Sequence, residues 1–593
     1  MLKWLSRLLR AHDKPADAAS AIASNADLSR DYKLQGDQFL DQGKLPEAAG
    51  FYRQAIAADA DNAAAHNNLG LVLTSGQQYD EAIMHFQRAL AVDAKSYNSL
   101  YMLGIIAQQR GDIDTAVGHF TQAIAIQPEF PDALHRLGGL LREQAKLAES
   151  VACYRQANAI HAEQPSTWSD LLLALQFEGR LSQAEMFAEH LRYAEQFEAP
   201  LIAQRQPHRV DISDQSPQRR LRIGYVSPDF RRHSVALFVL PILAAHDRTQ
   251  FEIFGYYCHP ETDPMTQEIA ALCDHFLPCA HMPDDALAER IRDDRIDILI
   301  DLAGHTAHNR LPVFCRKPAP IQVSYLGYID TTGLAAMDYR LAHVDTDPPE
   351  NDRYYSEKLY RFSEHLWWAY RPAPDLPDVT PLPTLANGYV TFSSNNHVSK
   401  ISMAMLDTWA ALLNAIPSAR LVMMGVTSEV ARAAFLARFT GHGVAIARIR
   451  FHGMLPLADY RRVLQQCDIS LDSFPYNGGT TSCETLWLGL PLVTMKGQSF
   501  VTRMGYALLK EIGLSDLVAD TPADLVRIAV GLANDLPRLE QLRNGMRARL
   551  AQSTLADEAK FTRGLEQAYR QMWLQYLAEN AATAEKAGSP TNT

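Results

Sequence analysis

The chain has 593 residues, 47% of them hydrophobic and 21% charged, and carries a net charge of −12. That length is too great for one core and implies about three or four domain-sized units, and the composition excludes a globally disordered or collagen-like chain. The acidic balance argues against a nucleic-acid-coating protein, and the longest apolar run, Val235 to Ala245, is broken by Pro241 and falls short of the ~20 residues a membrane span needs.

The N-terminal stretch MLKWLSRLLR places Lys3, Arg7 and Arg10 among its apolar residues, so no secretory signal core is read there. Trp4, Leu5, Leu8 and Leu9 share one helical face, suited to packing on the next helix or to touching a membrane surface. Residues 1–30 read as a helical lead. Seven cysteines contain no CxxC pair, so neither a disulfide framework nor a zinc site is indicated. A reducing cytoplasm is the expected compartment.

Self-similarity follows. Gly36, Gly70, Gly104 and Gly138 are spaced by 34 residues, and Tyr52, Phe86, Phe120 and Tyr154 keep the same step. So do Ala55, Ala89, Ala123 and Ala157, and Ala48, Ala82 and Ala116 with Ser150 next in phase. Small residues at helix crossings and aromatics in the gaps resemble the tetratricopeptide repeat, an α-solenoid of stacked helix pairs. The array is placed at 31–195, with a degenerate fifth unit from about Trp168 to Leu191. Its groove is read as a seat for a protein or peptide partner, against the alternative of a scaffold alone. The polar stretch 196–218, with Pro200, Pro207 and Pro217, reads as a linker.

Strand-like runs then alternate with helical patterns: LRIGYVS, FEIFGYYC, IDILIDLAG and IQVSYLGY, and after Pro381 YVTFSS, RLVMMG, RIRFHG, DISLDSF and PLVTM. Such alternation implies parallel sheets covered on both faces. Two Rossmann-like lobes are expected, at 219–380 and 381–578, with ligands at the carboxyl ends of strands. A helix at about 556–578 closes the second lobe, and 579–593 is expected to be a disordered tail.

Several strand-end loops carry candidate chemistry. In FPYNGGTTSCETLW, Gly478 and Gly479 permit close backbone approach, Thr480 and Thr481 add hydroxyls, and the following helix N-terminus suits a diphosphate. Thr481 and Glu484 also fit a capping box, so Glu484 is either a cap or a carboxylate for ribose hydroxyls. Lys400, in SNNHVSKIS, is either a solvated lysine or a phosphate ligand. His233, in SPDFRRHSVALF, is a cap or an acid–base group, and His305, in DLAGHTAHNRLP, is structural or an acid–base group. Asp345–Asp347 imitate a metal-binding DxD motif but precede a Pro-Pro loop, so the match is read as chance and no metal is assigned.

Taken together, LRIGYVSPDFRRHSV, IDILIDLAGHTAHNRL, KPAPIQVSYLGYIDTTGLAAMDYR, SKISMAMLDTWAALL, LDSFPYNGGTTSCETLWLGLPLVTM and LEQAYRQMW resemble the SPINDLY and O-GlcNAc transferase family of protein O-glycosyltransferases. The resemblance implies a repeat array followed by a GT-B catalytic region of two lobes, and inverting, metal-independent transfer without a cofactor. It implies a nucleotide-sugar donor, UDP-GlcNAc foremost, and a Ser or Thr hydroxyl of a protein as acceptor. It implies that Lys400, Thr480 and Thr481 contact the donor diphosphate, that Glu484 holds the ribose, and that His233 stands near the acceptor. His305 lies in a shared GHTA block.

There are departures as well. Tyr460 stands where the family has a base-contacting histidine, and Ile329 replaces the proline of the GYP motif. Arg503 agrees with the O-GlcNAc transferases and is expected among the donor-binding residues, whereas FPYNGGTTSCE lies nearer SPINDLY. The alternatives are a protein O-fucosyltransferase using GDP-fucose, for example on flagellin, and a repeat adaptor with an inactive transferase domain. The position two before each repeat glycine is Leu34, Asn68, Met102 or Arg136, so the family's asparagine ladder is absent.

Overall fold

The computed structural model describes residues 24–208, 216–373 and 375–588. The face of Trp4, Leu5, Leu8 and Leu9 lies outside them, as do 209–215 of the expected linker and the last residues of the expected tail. By internal contacts the chain divides into two compact units. One comprises residues up to His161 with Ser428–Val430, the other all the rest.

The first unit is four helix pairs: α1 and α2 (Asn25–Asp41, Leu45–Ala58), α3 and α4 (Ala63–Ser75, Tyr79–Val92), α5 and α6 (Tyr97–Gln109, Ile113–Ile126), α7 and α8 (Pro131–Glu143, Leu147–Ile160). Ser24 and Asp27 close a capping box on α1. The repeat glycines face the repeat aromatics. A Cβ on Gly36, Gly70, Gly104 or Gly138 would lie 2.6, 2.7, 2.8 or 2.9 Å from the ring of Tyr52, Phe86, Phe120 or Tyr154. The in-phase Ala48, Ala82, Ala116 and Ser150 are fully buried. The 34-residue period is thus a packing rule. One helix of each pair gives up its side chain so that its partner's aromatic ring can close the crossing.

A fifth pair, α9 (Pro165–Glu178) and α10 (Gln183–Phe197), continues the pattern but belongs to the second unit. The boundary expected at 195 therefore falls one repeat earlier, and the reason is hydrogen bonding. Ser169 on α9 bonds His305, His190 on α10 bonds the Tyr328 hydroxyl at 2.8 Å, and Gln176 donates to Asp330. Just past α10, Glu198 accepts from the backbone N–H groups of Ala335 and Ala336 at 2.8 and 2.6 Å. The start of the expected linker is packed too: Arg205 donates to the Cys315 carbonyl and His208 bonds that of Lys317.

Two parallel sheets follow. The first takes β1 (Leu221–Ser227), β2 (Phe251–Tyr257), β3 (His275–Pro278), β4 (Ile298–Asp301), β5 (Ile321–Ser324), β6 (Tyr339–His343) and β7 (Lys358–Phe362) in the order 3-2-1-4-5-6-7. The second takes β8 (Thr391–Ser394), β9 (Arg420–Met423), β10 (Ile449–Phe451), β11 (Ile469–Leu471), β12 (Leu492–Met495) and β13 (Val518–Ala519) in the order 10-9-8-11-12-13. Each order reverses once, between β1 and β4 and between β8 and β11, and such switch points open a crevice at the strands' carboxyl ends. The last helix runs Glu558–Gly588, ten residues beyond the expected 578, so the start of the expected tail is helical. Among the described residues no helix is long and apolar enough to cross a membrane.

Candidate active site

The switch-point loops hold the residues singled out from the sequence. In the second lobe β8 runs into the short turn Val398–Lys400, and β11 into the loop that ends at the helix Thr480–Trp487. The two loops are laced together. Ile401 pairs with Pro475 across an isolated bridge, and the Ser402 hydroxyl donates to the Phe474 carbonyl at 2.8 Å. This fixes Lys400: Nζ lies 4.3 Å from the centroid of the Tyr476 ring and 3.4 Å from the Asn477 carbonyl. Burial lowers the Lys400 ammonium to about 8, only partly opposed by Asp472. An anion beside it would restore the charge.

The phosphate-loop candidates group as expected, apart from the capping box. The helix begins at Thr480, so its N-cap is Gly479, which offers no side chain. The first-turn N–H groups keep their capacity to donate outward. Thr481 Oγ1 donates to Asn396 Oδ1 at 2.7 Å rather than capping, and Glu484 accepts from Arg461 Nε at 2.9 Å. Gly478 is required by space: a Cβ there would lie 2.4 Å from Ser482 Oγ and 2.7 Å from both Asn396 Oδ1 and Thr481 Oγ1. At Gly479 the nearest atom would be the Trp368 ring at 3.5 Å.

Three further residues organise this loop. Asp472, at the end of β11, accepts from the Gly478 N–H at 2.8 Å, from Asn396 Nδ2 at 3.0 Å and from Thr494 Oγ1 at 2.8 Å. Burial pushes its carboxyl up to about 6 despite these bonds. Arg461, 5% exposed, bridges Glu484 and, at 3.1 Å, Asp375. Tyr460 packs against the apolar cluster that includes Leu464 and Leu488, and burial, with Glu484 alongside, raises its phenol.

In the first lobe, His233 is the N-cap of the helix Ser234–Ala245. Its Nδ1 accepts from the Val235 N–H at 3.3 Å and stands 3.4 Å from Asp229 Oδ1. Burial lowers the imidazole to about 4 and raises Asp229 to about 6. The ring is therefore neutral near pH 7. The capping bond selects the tautomer with the proton on Nε2, while a bond from Nδ1–H to Asp229 would leave Nε2 free to accept a proton. Phe238, on the same helix, stacks on Trp368 at 4.9 Å, and Trp368 is the ring that faces Gly479. Through this pair the β1 loop and the phosphate loop meet.

Two expected site residues are placed otherwise. His305 is fully buried, with Nδ1 3.0 Å from Ser169 Oγ and Nε2 2.9 Å from the Thr332 carbonyl. Both ring nitrogens are bonded, and burial holds the imidazole well below its usual range. It pins α9 to the first lobe and is not available for acid–base chemistry, because the fifth helix pair covers that strand end. Arg503 donates from Nε to the Asp345 carbonyl at 2.7 Å and from Nη1 to the Gly497 carbonyl at 3.1 Å. Its guanidinium serves the seam between the lobes. The acidic pair of the DxD-like stretch is also engaged, Asp345 by Lys510 at 2.6 Å and Asp347 by the Tyr355 hydroxyl.

The sequence pattern of glycosyl transferase family 41 matches residues 177–368 and 382–565. Tetratricopeptide-repeat patterns match 36–74, 61–129 and 101–165. The chain is 38% identical over 370 residues to the protein of Solanum lycopersicum named "Probable UDP-N-acetylglucosamine--peptide N-acetylglucosaminyltransferase SPINDLY", covering 61% of this chain and 39% of that one. A protein of Arabidopsis thaliana with the same name is 37% identical over 61% of this chain and 40% of its own length. The chain thus spans about two fifths of the length of these curated relatives. A solved structure, of a mutant of the Thermobaculum terrenum O-GlcNAc transferase, superposes with a TM-score of 0.81 at 32% identity, covering 88% of this chain and 99% of that one. With this pattern covering more than half of the chain, the chain belongs to glycosyl transferase family 41.

Proposed function

We propose that the chain is a protein O-glycosyltransferase that moves GlcNAc from UDP-GlcNAc to a Ser or Thr hydroxyl of a protein acceptor recruited by the repeat array. The acceptor hydroxyl attacks the anomeric carbon from the face opposite the nucleotide, so the configuration inverts, and the nucleoside diphosphate leaves. The supporting observation is the Lys400 turn locked onto the Phe474–Trp487 loop, in a chain 32% identical to an O-GlcNAc transferase over 88% of its length. The growing charge on the diphosphate meets the Lys400 ammonium, the hydroxyls of Thr480 and Thr481 and the N–H groups of the helix's first turn. Fixed donors of this kind need no reorganisation as charge develops. The chain supplies the cation itself, so the proposal calls for no metal and no cofactor. Glu484, held by Arg461, would accept from the ribose hydroxyls, and Tyr460 would face the base. In the tautomer that donates from Nδ1 to Asp229 instead of capping the helix, His233 would take the acceptor proton on Nε2.

The test is donor hydrolysis and transfer with UDP-GlcNAc, UDP-glucose and GDP-fucose, with and without a chelator. Turnover of UDP-GlcNAc that survives the chelator is expected. Preference for GDP-fucose would replace the sugar assignment, and no turnover or thermal shift with any nucleotide would leave the adaptor reading.

A further inference from the structure

The donor loops occupy the carboxyl edge of the second sheet. The opposite, amino edge holds a separate cavity of about 200 Å3, lined among others by Tyr389, Thr391, Arg420, Arg448, Arg450 and Gln466. Strand register aims these groups together. Thr391 opens β8 beside Arg420, which opens β9, and Arg450 on β10 lies opposite Val422. In parallel strands such partners share a face, and side chains two residues apart do too, so Thr391, Arg420, Val422 and Arg450 project from one side of the sheet.

Their charges are not balanced. Among the described residues none of the three arginines has a carboxylate within ion-pair distance. Arg448 bonds only carbonyls, those of Leu413, Ile416 and Ala419 at the end of the helix Met403–Ala415. The Arg420 guanidinium stacks on the Tyr389 ring at 3.8 Å, which fixes its plane and leaves its N–H edge to the cavity. Asp468, just before β11, is already bound by the N–H groups of Thr384 and Thr391. Three guanidinium groups thus line one cavity with no carboxylate paired to them, an arrangement whose local field attracts an anion.

We propose that this edge is a second anion site, distinct from the donor site, that takes a phosphoryl oxyanion between Arg420 and Arg450 with Arg448 behind. Planar guanidinium edges suit tetrahedral oxyanions. With a water's share of liquid volume about 30 Å3, the cavity holds a phosphate or diphosphate with a few waters.

Calorimetric titration of the full chain with inorganic phosphate, and separately with diphosphate, tests this, the two arms sizing the ligand. The expected result is a Kd of about 1 mM or tighter for at least one of them. To silence the diphosphate contact of the donor site, the titrations are compared in chains that all carry Lys400→Ala. Arg450→Gln, at an exposed position with no ion pair to lose, and Arg420→Gln, each added to that chain, are expected to weaken binding at least tenfold. No binding to the Lys400→Ala chain, or binding to it that survives both arginine substitutions, would overturn the proposal. With the donor contact removed in every arm, the donor-site reading can fail without affecting this one.

Discussion

At the residue scale the site turns on few groups. Lys400 is ordinary in composition and unusual in place. Loop position left it a solvated lysine or a phosphate ligand, the family resemblance chose the second, and its lowered pKa needed the fold. Lys400→Ala is expected to cut turnover by about 10²–10³-fold, as removal of a transition-state charge partner does, with the melting temperature little changed. Because the free ammonium titrates near 8 and only its protonated form attracts the diphosphate, kcat/KM should fall as pH rises through about 8 and hold below it. A flat profile from pH 7 to about 9.5 would remove Lys400 from that role. His233 and Asp229 make a sharper case. If Nδ1 must bear the proton, Asp229→Asn should lower kcat by about 10²-fold or more with little change in donor KM, by analogy with the tautomer loss in hydrolase triads. An unchanged kcat would leave His233 as a helix cap.

Arg461 was not legible, because an arginine in a short amphipathic helix looks like a solvated residue. Only the fold shows it 5% exposed and bonded to Glu484. Arg461→Met should raise the donor KM by about tenfold, one good charged hydrogen bond's worth, and narrow the preference for ribose over deoxyribose nucleotide sugars. Asp472 was hidden likewise, since a lone aspartate after a strand has many uses. His305 misled for the converse reason: its strand-end position was readable, but the α9 serine that covers it sits 136 residues upstream.

Elements with strong periodicity were read well. All the repeat helices follow from one step of 34 residues, and the strands rich in β-branched and aromatic residues were found near their observed places. β3, β6, β7 and β13 were not. β3 and β13 are short edge strands, β7 is an edge strand with exposed Lys358, and β6 (YRLAH) is buried yet carries Arg340 and His343. Arg340 is tolerated inside because it bonds Ser324 Oγ and the Tyr328 carbonyl. Within the array, Gly104→Ala puts a methyl 2.8 Å from the Phe120 ring, which is itself fully buried. Overpacking of this sort costs about 1–3 kcal/mol, so thermal unfolding of the array should shift downward. The same change at Gly118, where a Cβ meets nothing within 4 Å, should leave it unchanged or raise it.

For the whole molecule, the division at His161 changes where the chain can be cut. Removing the residues up to 161 leaves α9 and α10 in place, and donor hydrolysis and the melting temperature of the remainder should survive. Removing those up to 195 strips Ser169 from His305 and His190 from Tyr328, leaving buried polar groups unpaired. That shorter chain should melt well below the longer one; equal melting temperatures would put the boundary back at 195. Transfer to protein acceptors should suffer in both, if the array recruits them.

The fifth helix pair also bears on how such a protein can change over generations. Its hydrogen bonds described above run to the first lobe, and its sequence lies wholly after the unit boundary. Repeats upstream can be gained or lost in whole steps of 34 without disturbing a single one of those bonds. Array length is then free to drift, while the last pair is inherited with the two lobes as a fixed socket.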